Sequence, residues 1–188
     1  MAAWLKSQVW NLGAFLWGVA EGTLFFLVPD VILTYVGLRR GYKAAAIASL
    51  FAAFGAACGG LILYAWSAQA PEAATAAVMA VPAISDAMNA GAQRDITSLG
   101  WFSAALLGPL TSTPYKVYAV LAPRFDVNVF FFAVASVLVR LPRFLVVSLG
   151  VTFAGRILSR WLSARTRLLV LTAAWVAFYA AFFALMPI

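Results

Sequence analysis

Three long runs of apolar residues dominate the pattern of hydrophobic and polar positions along the chain. They are uninterrupted and extend over Ala44–Trp66, Val127–Val151 and Leu168–Met186. A helix needs roughly 20 apolar residues to cross the hydrocarbon core of a bilayer, and somewhat longer runs cross with a tilt. The pattern therefore predicts three transmembrane helices.

Two further apolar stretches are broken near their midpoints by proline beside polar residues. Trp10–Leu38 is interrupted at 28–30, and Trp101–Ala122 is interrupted at 111–114. Neither stretch is long enough to cross twice, and a broken helix at membrane depth is tolerated only where it lines a cavity or is buried in protein. Paired interrupted segments are typical of the substrate sites of transporters. We therefore expect two hairpins whose tips carry the function.

The composition supports a membrane location for the whole chain. Hydrophobic residues make up 65% of it, charged residues make up 10%, and the mean hydropathy is +0.96. Soluble domains contain roughly 25% charged residues. This is the composition of an integral membrane protein, and 188 residues leave room for one membrane-embedded domain, 1–188.

Scarce residue types exclude several kinds of chemistry. The chain has no histidine, and its single cysteine, Cys58, lies in an apolar run. An internal disulfide and a histidine or thiolate metal site are therefore not expected, nor is a cofactor. An enzyme is the least favoured class, although Ser112 or Thr113 near Lys116 imitates a nucleophile and base. The net charge of +7 does not indicate nucleic acid, because the basic residues sort by topology and form no patch with interleaved aromatics.

The charges between the spans predict which side of the membrane each loop occupies. Three basic residues fill loop 39–43 and four arginines fill 156–167, whereas carboxylates outnumber arginine in the connection 67–97. Lysine and arginine mark the cytoplasmic side, so both basic loops are expected inside and 67–97 outside. This requires the second broken stretch to enter and leave on the outer face. By the same logic the first enters and leaves on the inner face, which keeps Lys6 inside.

The predicted fold is all-α and membrane-embedded. Two opposed re-entrant helical hairpins, each followed by a transmembrane helix, occupy 10–66 and 98–155, and a C-terminal transmembrane helix occupies 168–186. A shift of 85 residues places Pro29 on Pro114 without a gap. Such a shift suggests an inverted repeat, an architecture in which the site lies near the membrane midplane.

The external connection contains an alanine-rich segment, Pro71–Gln93. Its apolar positions Val78, Val81 and Ile84 follow helical spacing, while Pro82 interrupts the pattern. Two interpretations stay open at this point. The segment is either a helix lying on the outer membrane surface or a partly ordered external loop.

Five ionisable residues fall within or beside the breaks of the apolar segments. Each costs about 2.5 to 3.5 kcal/mol at the centre of a membrane helix on insertion scales, so each needs a reason to be there. Structural salt bridges or snorkelling to an interface would be one reason. A site for an anion would be another, because three cations against two carboxylates leave one positive charge in surplus. The five are Glu21, Asp30, Lys116, Arg140 and Arg143.

Phosphate is the anion that these residues suit best. Arg140 and Arg143 are three apart and project from one face of a helix, and arginine forks match phosphate oxygens. At the second break, Thr113 can cap a helix and Pro114 can begin it, and a helix start with free N–H groups attracts anions. Thr111, Ser112 and Tyr115 add polar groups to this candidate substrate site. A plain capped turn would explain Thr113 and Pro114 but not Lys116.

Three segments together resemble the DedA family of membrane proteins, also described by its VTT or SNARE-associated domain, and specifically its short YqaA-like branch. They are Ala20–Asp30, Gly108–Ala122 and Arg140–Phe144, and the resemblance extends over roughly 13–155. It implies opposed re-entrant hairpins and the movement of lipids, such as undecaprenyl phosphate or phospholipids, across a membrane, in some members driven by the proton gradient.

The resemblance also implies roles for single residues. Glu21 and Asp30 match the family's essential membrane acids, and Lys116, Arg140 and Arg143 occupy its basic positions. The longer members carry an arginine pair where Thr111–Lys116 stands here, which leaves the identity of the lipid open.

The leading hypothesis is a flippase or scramblase of the bacterial inner membrane that moves a lipid with an anionic phosphate headgroup. Glu21 and Asp30 would neutralise the cations and release them when they take up protons, so that transport could draw on the proton motive force. A proton-coupled carrier of a small soluble anion and a structural assembly protein are the alternatives. The sequence leaves open the direction of movement, the coupling and the formation of a homo-oligomer.

Overall fold

The computed structural model describes residues 2–185, with side chains from residue 8 onward. This part of the chain is helical and contains no strand. Two predictions fall outside the described residues. They are the inner-face position of the Lys6 side chain and the end of the last transmembrane helix at Met186. The helices are α1 Ala2–Gly22, α2 Asp30–Arg40, α3 Tyr42–Gln69, α4 Pro71–Met79, α5 Asp86–Leu99, α6 Trp101–Leu107, α7 Tyr115–Leu121, α8 Val129–Leu158 and α9 Ala164–Leu185.

The three stretches predicted to be transmembrane helices are helices in the structure. In the described part of the chain, α3, α8 and α9 are long and apolar enough to cross a membrane. Helix α8 begins two residues later than the apolar run, because the side-chain oxygen of Asn128 accepts hydrogen bonds from the backbone N–H groups of Phe130 and Phe131 at 2.9 and 3.2 Å. These bonds satisfy two of the free donors at the helix start.

Helices α1 and α2 form the first hairpin, and residues 23–29 form its tip. Helix α1 runs parallel to α3 and packs closely against it through small residues on both helices. A Cβ atom added at the glycines of either helix would collide with the backbone of the other, as at Gly18, Gly22, Gly55 and Gly59. Small residues at such positions let two helix backbones approach closely in a membrane.

The first tip lies level with the middle of α3. Gly22 meets the backbone of Ala56, which is halfway along a helix of 28 residues. Helix α2 has 11 residues and is about 16 Å long. It returns to the start of α3, where Gly41 joins the two helices with φ +83°. Residues other than glycine rarely adopt this conformation, so the tight turn depends on Gly41.

Helices α6 and α7 form the second hairpin, and residues 111–114 form its tip. Helix α7 starts beside the middle of α3, since the hydroxyl of Tyr115 lies against Gly60. It then runs toward the C-terminal end of α3, where the hydroxyl of Ser67 donates to the carbonyl of Val120 at 2.6 Å. The two tips therefore approach each other from opposite ends of α3.

Helix α8 runs antiparallel to α3 and contacts both hairpins. Near its start the Phe132 ring lies 5.0 Å from the Tyr64 ring. Near its end the hydroxyls of Ser148 and Ser49 are hydrogen bonded at 2.9 Å. Helices α3 and α8 thus form the frame against which the two hairpins meet end to end.

The segment Pro71–Gln93 is neither a loop nor a single surface helix. It contains α4 and the first part of α5, and the turn between them, residues 80–85, reaches inward to the second tip. Helix α4 buries Ala74 and Val78 in the same apolar cluster as Trp101. Packing against α3 and α7 thus orders a segment whose own hydrophobic pattern is weak.

Helix α9 runs antiparallel to α2. Its Trp175 indole donates to the hydroxyl of Thr34 at 3.0 Å, and the hydroxyl of Tyr179 accepts from the backbone N–H of Val28 at 3.0 Å. None of its described residues is buried. The helix is therefore attached to the first hairpin along one side and is otherwise open to its surroundings.

Candidate functional site

A cavity of about 410 Å³ lies where the two tips meet; we call it the central cavity. It is bounded by the end of α1, both tips, the middle of α8, the 80–85 turn and α9. Seven of the nine predicted site residues line it, namely Glu21, Ser112, Thr113, Tyr115, Lys116, Arg140 and Arg143. Asp30 is not among the lining residues but is bonded to one of them, and Thr111 is not among them either.

Glu21 and Arg140 form a buried ion pair between α1 and α8. The Arg140 Nη2 donates to Glu21 Oε2, and the two side chains are only 4% and 5% exposed. The guanidinium also lies 4.7 Å from the centre of the Phe144 ring and 5.3 Å from that of the Tyr115 ring. Its Nε has no hydrogen-bond partner among the described residues. Arg140 is thus held by one carboxylate and two aromatic faces, with donor capacity in reserve.

Asp30 and Arg143 form a second ion pair between α2 and α8. The Arg143 Nη2 donates to Asp30 Oδ2 at 2.8 Å. Asp30 is the first residue of α2. The carboxylate is buried, whereas the arginine side chain is 32% exposed and extends into the central cavity. The spacing of three along α8 therefore gives each arginine its own carboxylate.

Lys116 connects the two tips directly. Its Nζ donates to the backbone carbonyl of Phe25 at 2.7 Å, and the residue is 2% exposed. No carboxylate is within ion-pair distance of Lys116 among the described residues, so the group bonded directly to its charge is a carbonyl dipole. The surplus positive charge expected from the sequence is therefore found at this ammonium group.

The second tip does not have the predicted cap. Helix α7 begins at Tyr115, and Thr113 accepts no bond from it. The hydroxyls of Thr111 and Thr113 instead lie 3.1 Å apart, which removes the capping oxygen from the helix start. Helix α7 has seven residues, and the anion site expected at its first turn stays a prediction. The side chain of Lys116 brings positive charge to the cavity beside this tip.

The remaining tip residues shape the wall of the cavity. Ser112 has φ +58°, a left-handed conformation that turns the chain sharply. The Tyr115 hydroxyl donates to the Ser136 hydroxyl at 2.6 Å, which fixes the ring beside Arg140. These contacts hold the second tip in place against α8.

Several residues that line the cavity were not predicted from the sequence. Phe26 in the first tip and Phe178 and Phe182 in α9 form an aromatic side, while Val81, Ile84 and Met88 cover the cavity from the α4–α5 side. The four-residue spacing of Phe178 and Phe182 is a helical signal, but α9 is apolar all round and no single face is distinguished. The cavity is therefore charged at its centre and apolar at its sides.

The charged side chains at the central cavity are of the kinds that bind anions. Within residues 2–185 no group of three or more His, Cys, Asp or Glu is placed to bind a metal ion. Two guanidinium groups, an ammonium group and the Glu21 carboxylate line the cavity, and the Asp30 carboxylate is bonded to one of the guanidinium groups. The cations can bind an oxyanion.

Comparisons with known proteins add no relative. A scan against protein-family models found no match, and searches of the curated proteins and of the solved structures found none either. The class therefore follows from the chain itself. Its composition and its three apolar helices define an all-α membrane protein, with a charged cavity at the meeting point of two helical hairpins.

Proposed function

We propose that this protein is a lipid translocase of the bacterial inner membrane, a flippase or scramblase for a lipid with an anionic phosphate headgroup. The headgroup would bind in the central cavity on Lys116, Arg140 and Arg143. The observation that carries this proposal is the gathering of three cations and two carboxylates around one cavity of about 410 Å³. The resemblance to the DedA family points to the same function.

Both hairpins are proposed to be re-entrant, which would bring the site to the membrane midplane. Helix α2 is about 16 Å long and α7 has seven residues, whereas the hydrocarbon core is ~30 Å thick. Neither helix can complete a crossing from its tip, so each would return to the face from which its hairpin entered. The basic loops 39–43 and 156–167 would lie in the cytoplasm.

The charge balance favours an anion over a neutral or cationic substrate. Both carboxylates are engaged by arginines, and Lys116 is paired only with a carbonyl. A phosphate group would supply the missing negative charge, and it offers several oxygens to the guanidinium forks. If Glu21 took up a proton, Arg140 would be released toward the phosphate. That exchange is how a proton gradient could drive transport.

The aromatic side of the cavity favours a lipid over a small soluble anion. Phe26, Phe178 and Phe182 line the cavity toward α9, and α9 has no buried residue in its described part. A lipid could keep its acyl chains beside these rings in the membrane while its headgroup bound the cations. A soluble anion would gain little from an apolar side of this kind.

The test is transfer of lipids across reconstituted vesicles. Lipids labelled on the acyl chain, with phosphatidylglycerol, phosphatidylethanolamine, phosphatidylcholine or polyprenyl phosphate headgroups, would be followed with and without a pH gradient. Arg140→Ala should abolish transfer while the protein stays in the membrane, and Arg140→Lys should retain part of it. Arg160→Ala removes an exposed arginine from the basic loop and serves as the matched control. Full transfer by Arg140→Ala would contradict the proposal.

The two ion pairs favour a second candidate, a structural membrane protein whose charges only hold helices together. Glu21 with Arg140 and Asp30 with Arg143 each join α8 to the first hairpin. This candidate predicts that Glu21→Gln combined with Arg140→Met preserves function. Loss of transport in a folded double variant would exclude it.

A further inference from the structure

A second cavity lies at the basic end of the first hairpin. Its volume is about 250 Å³, and it is lined by Trp10, Tyr35, Val36, Arg39 and Arg40. We call it the basic-end cavity. It is formed where α1 passes the last turn of α2, just before Gly41 turns the chain into α3.

The basic-end cavity is separate from the central cavity. Arg40 ends α2 and Asp30 begins it, so the two residues are about 15 Å apart along the helix axis. The two cavities also share no lining residue. A ligand in one would therefore not occupy the other.

Within the described part of the chain, the guanidinium groups at this cavity have no acidic partner. Both ion pairs found among the described residues belong to the central cavity, where they engage Glu21 and Asp30. The other four acidic residues of the chain lie in 72–126, a segment that begins at the opposite end of α3. Lys43, on the first turn of α3, adds a third positive charge to this end.

Aromatic rings form the other wall of the cavity. The Trp10 and Tyr35 ring centres are 5.1 Å apart, so the two side chains pack against each other between α1 and α2. Both residue types prefer the boundary between headgroups and acyl chains, where one part of the ring is apolar and another is wet. This places a basic, partly apolar recess at the depth of lipid headgroups.

We propose that the basic-end cavity binds a phosphate oxyanion through Arg39 and Arg40, with the rings of Trp10 and Tyr35 against its apolar substituent. The two forks match the oxygens of a phosphate group, and basic pockets between helices on the cytoplasmic side of a membrane bind anionic headgroups. Membrane lipid and free phosphate share this chemistry. The inference does not depend on transport through the central cavity.

The experiment measures the lipids that remain bound to the full chain in nanodiscs containing both phosphatidylglycerol and phosphatidylcholine. Native mass spectrometry would report whether the anionic lipid is enriched on the protein. Arg39→Gln with Arg40→Gln should weaken that enrichment about tenfold or more, the effect of losing at least one charge-assisted hydrogen bond. Arg39→Lys with Arg40→Lys keeps the charge but loses the forks, and it should weaken the enrichment by a smaller factor.

The matched control is Arg160→Gln with Arg165→Gln. It removes the same charge from two positions in the other basic loop that are exposed, as Arg39 and Arg40 are, but that line neither the basic-end cavity nor the central cavity. Enrichment should stay at the wild-type level. An equal loss of enrichment in both glutamine variants would overturn the proposal, because general attraction to the basic end would then be sufficient. An unchanged enrichment in Arg39→Gln with Arg40→Gln would overturn it as well.

A second arm distinguishes the two sources of phosphate. Inorganic phosphate at millimolar concentration would be added to the same nanodiscs. Displacement of phosphatidylglycerol from the wild type, but not from the Arg39→Gln with Arg40→Gln variant, would assign the site to a soluble phosphate ligand. Retention of the lipid would assign it to a headgroup.

Discussion

The buried pair of Glu21 and Arg140 allows a quantitative test of how the hairpins are joined to the frame. Arg140→Met keeps the length of the side chain but leaves the Glu21 carboxylate without its cation. Since both side chains are about 95% buried, solvent cannot replace the lost partner. Breaking a buried pair from one side costs about 3 to 5 kcal/mol, and a loss of ~3 kcal/mol shifts the unfolding equilibrium by about two orders of magnitude.

The measurement is reversible unfolding in mixed micelles, followed by circular dichroism, with the free energy of unfolding as the readout. The double variant Glu21→Gln with Arg140→Met removes both charges and should recover most of the loss, because paired apolar or neutral replacements are often close to neutral. Arg160→Met is the internal control. Its side chain is exposed and belongs to neither ion pair found among the described residues, so the cost should be clearly smaller.

Two results would refute this reasoning. One is an Arg140→Met protein that is no less stable than Arg160→Met, since burial would then not determine the cost. The other is a double variant at least as unstable as Arg140→Met alone, since the two side chains would then not be coupled. In either case the contact between α1 and α8 would not depend on charge.

Three further substitutions test other contacts. Gly59→Leu should destabilise the protein by about 1 to 3 kcal/mol, because even a Cβ there collides with the α1 backbone. The same unfolding assay measures this loss, and an unchanged stability would contradict the α1–α3 packing. Ser136→Ala should cost about 1 to 3 kcal/mol, because it leaves the buried Tyr115 hydroxyl unpaired, and Tyr115→Phe added to it should restore part of the loss. Tyr179→Phe should speed hydrogen exchange at the first tip without changing global stability, because Val28 loses its acceptor; unchanged exchange would argue against that contact.

The main elements could be predicted because they depend on strong local signals. An uninterrupted apolar run such as Ala44–Trp66 has only one low-energy conformation in a bilayer, a helix that satisfies its own backbone groups. Proline at 29 and 114 marks where the broken stretches turn. The start of α2 at Asp30 and that of α7 at Tyr115 keep the spacing of 85 residues found in the sequence.

The gathering of the charges was also predictable, but their partners were not. A charge in an apolar segment is expensive unless it is paired, so five such residues were expected to meet. Arg140 and Arg143 differ by one helical turn, and either could in principle reach either carboxylate. Only the packing of the first hairpin against α8 pairs Glu21 with Arg140 and Asp30 with Arg143.

The remaining walls of the cavity depend on tertiary packing that leaves little trace in the sequence. Helices α4 and α5 are rich in small or polar residues, so their hydrophobic pattern did not indicate that the 80–85 turn reaches the cavity. Helix α9 is apolar on every side, so Phe178 could not be distinguished from its lipid-facing neighbours. The missing cap at Thr113 depends on a competing hydroxyl, that of Thr111.

The hydrogen bond from Lys116 to the carbonyl of Phe25 uses one proton of an ammonium group that has three. An oxyanion in the cavity can therefore accept a hydrogen bond from a second N–H of Lys116 while the bond between the two tips stays intact. A headgroup bound as proposed would then be linked to both hairpins through a single nitrogen atom.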